Sequence, residues 1–131
     1  FRVTGDTADL YAFRTPSLRN VALTGPWGHA GAYSDLTAFV KGHIDPVAGL
    51  ESYDRSQVVL PEAEFADWRI MDDPAEVAAI AAAVSIEPVE LSDDEVAAIV
   101  AFLNSLTDIA AQTGRLGVPE TVPSGLSIPN P

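Results

Sequence analysis

Three side chains in this sequence carry a lone pair suited to a transition metal: His29, His43 and Met71. There is no cysteine, which removes disulfides, thiolate metal sites, cysteine nucleophiles and covalent c-type haem attachment together. Any metal chemistry therefore runs through those three residues. A lone histidine in a loop is more often a surface or hydrogen-bonding residue than a ligand, and His29 stands in such a loop. His43 differs, because it falls on the apolar face of a short helix. A neutral imidazole there needs a partner or suffers desolvation. A bound metal is one such partner and a backbone carbonyl is another, and spacing alone leaves both open. Met71 lies in a long connection where nothing fixes its geometry. The paired carboxylates Asp72-Asp73 and Asp93-Asp94 read as caps and solvated charge rather than as acid–base pairs.

The elements that must position these residues can be read from period and punctuation. The alternation in Phe1-Arg2-Val3-Thr4 allows a short strand. Residues 13–33, FRTPSLRNVALTGPWGHAGAY, are rich in glycine and proline and predict an ordered loop with one helical turn around residues 17–21. A short helix should follow, capped by Ser34 or Asp35, with Leu36, Phe39, Val40 and His43 at i, i+3, i+4 and i+7 on one face. Asp45-Pro46 should end it, since the residue before proline avoids the α region. Residues 46–72 read as one long connection, of the functional or partner-covering kind, carrying Tyr53, Phe65 and Trp68. Asp73-Pro74 predicts an N-cap with proline at the first helical position, opening an alanine-rich helix to Val84. The clearest element is 92–107. Ser92 and Glu95 form a capping box, and Val96, Ile99, Val100, Leu103 and Leu106 make one apolar stripe, broadened by Phe102. Beyond Asp108 the pattern fades into a proline-rich tail, 118–131.

The bulk numbers bound the function. The chain has 131 residues, enough for one domain with a real core, and its ten prolines and nine glycines imply much loop. Its net charge of −12, from 19 acidic and 7 basic residues, repels phosphate backbones and anionic lipid, so nucleic-acid and membrane binding are not expected. No apolar run approaches the ~20 residues of a membrane span. The sequence opens at Phe1 without a Met, which suggests a mature, trimmed or excised segment, so a missing signal peptide says little about compartment.

FRTPSLRNVALTGPWGHAG resembles the stretch that follows the second haem-binding motif in bacterial di-haem cytochrome c peroxidases and their MauG-type relatives. That family reads Phe-(Lys/Arg)-Thr-Pro-Ser-Leu-Arg-Asn-Val, then Leu-Thr-x-Pro-Tyr-x-His-x-Gly, then a short helix. The closing helix EVAAIVAFLNSLTD is similar to the family's last cytochrome-like helix. Together these segments cover about half of the chain. The resemblance implies a mostly α, cytochrome c-like C-terminal domain with long irregular loops and few or no strands, spanning 1–131 and lacking its Cys-x-x-Cys-His segment.

It also implies roles by position. The residue 14 places after the motif histidine supplies the distal axial ligand of the family's C-terminal haem; counted from His29, that residue is His43. The family's peroxidases carry Met there and its MauG relatives Tyr, so His43 implies a bis-histidine haem c, attached through upstream sequence. A second imidazole lowers the potential relative to Met/His ligation, and a six-coordinate haem suits electron transfer rather than peroxide binding. Thr24 and Pro26 match positions whose carbonyls bind calcium, as hard cations prefer. Arg14 and Arg19 would pair with haem propionates, the other reading being loop bracing. His29 would hydrogen-bond near haem or calcium without ligating. Trp27, in place of the usual Tyr, would pack on the haem edge or relay an electron hole. The implied partners are the N-terminal haem domain of the same protein and a small electron-donor protein, and the implied compartment is the periplasm. Taken whole, the function is the electron-transfer portion of a di-haem peroxidase-like or MauG-like oxidoreductase, with this chain alone inactive. A haem-free docking domain that keeps the scaffold is the alternative, supported by the missing cysteines. An acidic helical domain of other role is the blandest reading.

Overall fold

The computed structural model describes residues 2–59, 66–113 and 121–126. Among these the chain is mostly α and holds no strand, consistent with a mostly-α, cytochrome c-like domain. The described residues form five helices, α1 (Leu36–Ile44), α2 (Pro46–Glu51), α3 (Pro74–Ala82), α4 (Asp93–Ser105) and α5 (Ile109–Thr113), with short 3-10 turns at Thr7–Asp9, Val21–Leu23 and Arg55–Gln57.

Each helix starts where the side chains supply an acceptor for its free amides. Asp35 caps α1, accepting from the Ala38 amide at 2.6 Å. At the N-terminus of α4, Ser92 and Glu95 close the reciprocal capping box, and Asp93, Asp94 and Glu95 place negative charge against the positive end of the helix dipole. Asp73 caps α3 with Pro74 in its first turn. Asp45-Pro46 does end α1, but it also begins α2. The same aspartate accepts from the Ala48 amide at 3.0 Å with proline again in the first turn. The connection expected over 46–72 is thus broken by a helix and a 3-10 turn.

Three further expectations change. Residues 2–4 form a turn rather than a strand, and Phe1 lies outside the described residues. The helical turn expected around 17–21 lies further on, at Val21–Leu23, because Asn20 sits at a left-handed φ of 57° and starts it. After Asp108 the chain makes α5, its start stabilised by Asp108 accepting from the Ala110 amide at 2.9 Å. Most of the expected tail, 118–131, and Phe65 lie outside the described residues. Within 121–126 the Gly125 amide donates to the Val122 carbonyl and closes a turn.

The packing that matters is α1 against α4, with α2 against both α1 and α3. Only Leu36 and Val40 of α1 and Val96 of α4 are buried among the described residues. A chain of this length normally buries roughly two-thirds of its unfolded surface, so this seam is a thin core with much apolar surface left beside it. None of the described helices is long and apolar enough to cross a membrane.

Candidate functional site: an apolar groove with one imidazole

The surface left open between α1 and α4 is a groove of about 390 Å³, within the ~300–1,000 Å³ typical of small-molecule sites. Leu36, Phe39, Val40, His43 and Ile44 of α1 form one wall, and Ile99 and Leu103 of α4 the other. Val89 and Leu91 from the segment leading into α4, and Leu18 and Val21 from the N-terminal loop, complete the lining. The four α1 residues expected on one face therefore share one surface. Of the eleven lining side chains only His43 is polar.

The walls are tied in place by the backbone. The Val89 amide donates to the Ile44 carbonyl at 3.0 Å and holds the extended segment on the end of α1. The N-terminal loop is pinned to the far end of α4. There the Asn20 amide donates to the Leu106 carbonyl at 3.2 Å, and the Asn20 side-chain carbonyl accepts from the Asp108 amide at 2.7 Å. Arg19 adds an ion pair to Asp108 at 3.3 Å. At the other end Lys41 of α1 pairs with Asp93 of α4 at 2.8 Å, which holds the Asp93 carboxyl below the usual range.

His43 is exposed to solvent along the groove. Its Nδ1 lies 3.0 Å from the carbonyl oxygen of Phe39. A carbonyl can only accept, so Nδ1 carries the hydrogen and, in the neutral ring, Nε2 keeps its lone pair. Among the described residues nothing hydrogen-bonds to Nε2. The two partners considered for this imidazole, a carbonyl and a metal, use different nitrogens and are compatible. The Phe39 ring meets the imidazole edge to face, 4.4 Å between centroids.

The other sequence-predicted residues lie around the groove rather than in it. His29 stacks on Phe13, ring centroids 4.0 Å apart and planes 18° apart, both on the exposed loop. Trp27 donates from its indole nitrogen to the Val21 carbonyl at 2.8 Å and lies against Gly25, bracing the loop behind a groove-lining residue. Arg19 is used on Asp108, in the loop-bracing role. Arg14 is exposed and makes no ion pair among the described residues. Thr24 and Pro26 sit at the exposed tip of the same loop. Met71 is half-buried in the connection and does not line the groove; its carbonyl accepts from Arg55. Among the described residues no three His, Asp or Glu side chains gather into a metal cluster.

Sequence reasoning missed the contributions of Leu18, Val21, Val89 and Leu91. The alternation Val89-Glu90-Leu91 is the one signal that an apolar edge was being presented there. It also missed Tyr33 and Tyr53. Tyr33 pairs through both backbone groups with Trp27, at 2.8 and 3.1 Å, closing a loop whose Gly28 and Gly31 take φ of +90° and +64°. Those left-handed positions are open to glycine without steric cost. Tyr53 donates its hydroxyl to the Ala32 carbonyl in the same loop. Burial pushes the Tyr33 and Tyr53 hydroxyls above their usual range, so both stay protonated.

A mostly-α, cytochrome c-like domain with an apolar groove and one imidazole on its wall is the class that fold and site define. The chain is similar to the methylamine utilization protein MauG of Paracoccus denitrificans, 33% identical over 108 residues, which cover 79% of this chain. That likeness supports a relationship to the MauG-like and di-haem cytochrome c peroxidase proteins at the level of the family. The chain spans about a quarter (24%) of the length of that relative. No protein-family model matches the chain, and no solved structure matches it.

Proposed function

We propose that this chain is the electron-transfer portion of a di-haem peroxidase-like oxidoreductase, in which His43, through Nε2, would serve as a ligand to a c-type haem. The observation that carries this is the imidazole itself. Among the described residues it is the one polar side chain on an apolar wall, with Nδ1–H committed to the Phe39 carbonyl and Nε2 left without a hydrogen-bond partner. Ligating histidines characteristically donate their other ring nitrogen in this way, which fixes the tautomer and strengthens the donor. The apolar walls suit a porphyrin's face and edge.

The cysteines and the proximal histidine of such a haem would come from sequence outside this chain. When bound, the haem supplies a one-electron couple. The residues that would hold it are His43, through Nε2, and the apolar side chains of the groove, which would lend it surroundings of low polarity. Two imidazoles favour the ferric state more than a Met/His pair does. Arg14 makes no ion pair among the described residues, and the family resemblance is what assigns it to a propionate. The calcium ascribed to the carbonyls of Thr24 and Pro26, the periplasmic setting, the N-terminal haem domain as partner and a small donor protein rest on the family resemblance.

A haem-free docking domain is the second reading, favoured by the absence of cysteine. Addition of ferric protoporphyrin to the 131-residue chain separates the two. Low-spin bis-nitrogen absorption with added imidazole as the sixth ligand, lost in His43→Ala and kept in His29→Ala, is expected of the haem site. Equal binding by both variants and the parent, or none by any, would favour the docking module.

A further inference from the structure

His43 is backed by a file of rings that reaches well away from the groove. Phe39 stands 4.4 Å from the imidazole, Tyr33 stands 5.5 Å from Phe39, and Tyr53 stands 5.4 Å from Tyr33, all as centroid distances with the planes tilted or edge-on. Such geometries are the favoured ones for aromatic pairs. The file is tethered at two of its rings. Tyr33 is held at its backbone by Trp27, and Tyr53 is held at its hydroxyl by Ala32. The Tyr33 hydroxyl rests on α1 at Gly42, the residue before His43: a Cβ there would stand 2.7 Å from that oxygen. From another side α2 presses on the same glycine, because a Cβ on Gly49 would stand 3.0 Å from the Gly42 Cα. Phe39 touches His43 twice, with its ring on the imidazole and its carbonyl on Nδ1.

From this geometry we infer that Tyr33 and Phe39 are positioning residues for His43, clamping the imidazole as the Nδ1–H tautomer with Nε2 presented to the groove. The inference gives the Trp-Gly-His-Ala-Gly-Ala-Tyr loop a task unrelated to ligation by His29: it drives the Tyr33 ring against the back of α1. The consequence for a metal rests on the ligand assignment above, whereas the clamp itself needs no metal. An unrestrained imidazole exchanges between tautomers. A ring held by an edge-on neighbour and hydrogen-bonded to its own helix favours one of them.

The test is the nitrogen spectrum of the imidazole in the ¹⁵N-labelled chain, with His29→Gln leaving one histidine, recorded without haem where the ring is neutral. His43 should show a protonated Nδ1 and an unprotonated Nε2. Phe39→Leu and Tyr33→Leu keep the residue-39 carbonyl but release the ring packed against the imidazole, so each should move the tautomer ratio toward the Nε2–H form by a factor of roughly 2 and by less than the roughly 10-fold that loss of the hydrogen bond itself would give. Tyr33→Phe keeps the ring and should leave the ratio unchanged. An Nε2–H tautomer in the parent chain overturns the clamp whether or not any variant folds. So does a ratio untouched by Phe39→Leu and Tyr33→Leu in chains whose helical circular dichroism is intact. A locked tautomer in a chain that takes up no haem would leave the clamp standing and remove the ligand assignment. A ligated haem on an unlocked imidazole would do the reverse.

Discussion

An imidazole has two nitrogens, and at residue 43 they face different demands. Nδ1 is spent on the Phe39 carbonyl, which already serves the helix ladder and has a second lone pair to offer. That leaves Nε2 as the donor. Replacing His43 by Met would exchange a strong nitrogen donor for a thioether and should raise the reduction potential of a haem bound there, measured by redox titration of the loaded protein. A potential that does not move would separate the residue from the iron. At this scale the sequence was informative about identity and poor about geometry. The position of His43 on an apolar face was legible from spacing, and its ligand role came from the family motif. The nitrogen that would do the work depends on a rotamer, and no spacing encodes it. Trp27 and Arg19 also stood out in the motif, yet the structure sets both to bracing the loop, at Val21 and at Asp108.

The helices place this residue by their caps and by one close approach. Ser92→Ala should cost about 1 kcal/mol of stability, seen in the chemical denaturation midpoint. The Glu95 half of the same box adds a pH dependence. Its carboxyl accepts from the Ser92 amide and hydroxyl, which hold its pKa below the usual glutamate value. With the folded pKa depressed, the stabilisation is complete above the unfolded pKa and is lost as pH falls through the folded one. The stability gap between parent and Glu95→Gln should therefore be present at neutral pH and vanish in acid. A gap that widened in acid would reverse the sign and refute the cap. Gly42→Ala would drive a methyl into the Tyr33 hydroxyl, and overpacking of that kind costs about 1–3 kcal/mol. Tyr33→Phe should recover part of the loss in a double-mutant cycle, since it removes the atom in the way. Here the Asp-Pro signal was legible and incompletely used: it opens α3 at 73–74 and, by the same physics, α2 at 45–46. The extended segment at Val89 carried only a two-residue alternation, too short to separate a groove wall from an ordinary loop.

At the scale of the whole molecule the chain is under-buried and over-charged. Three buried side chains among the described residues leave Leu18, Val89 and Ile99 lining the groove at 47%, 55% and 36% exposure. Apolar surface of that kind gathered in one place marks a binding site. A net charge of −12 repels itself. Added salt should raise the thermal midpoint from its low-ionic-strength value by screening that repulsion, most steeply below about 0.1 M. A midpoint indifferent to salt would show that the charges are too dispersed to matter. The mostly helical class was legible at this scale because caps and apolar stripes repeat the same instruction along the chain. The thinness of the core was not legible, because it reflects which faces find partners rather than how many apolar residues there are.

The most direct measurement is the electron paramagnetic resonance spectrum of the haem-loaded protein that carries this segment, in its ferric form, with and without His43. A low-spin bis-imidazole signal that disappears in His43→Ala and persists in His29→Ala is the expected result. The same signal surviving His43→Ala unaltered would mean that the iron takes its ligand elsewhere.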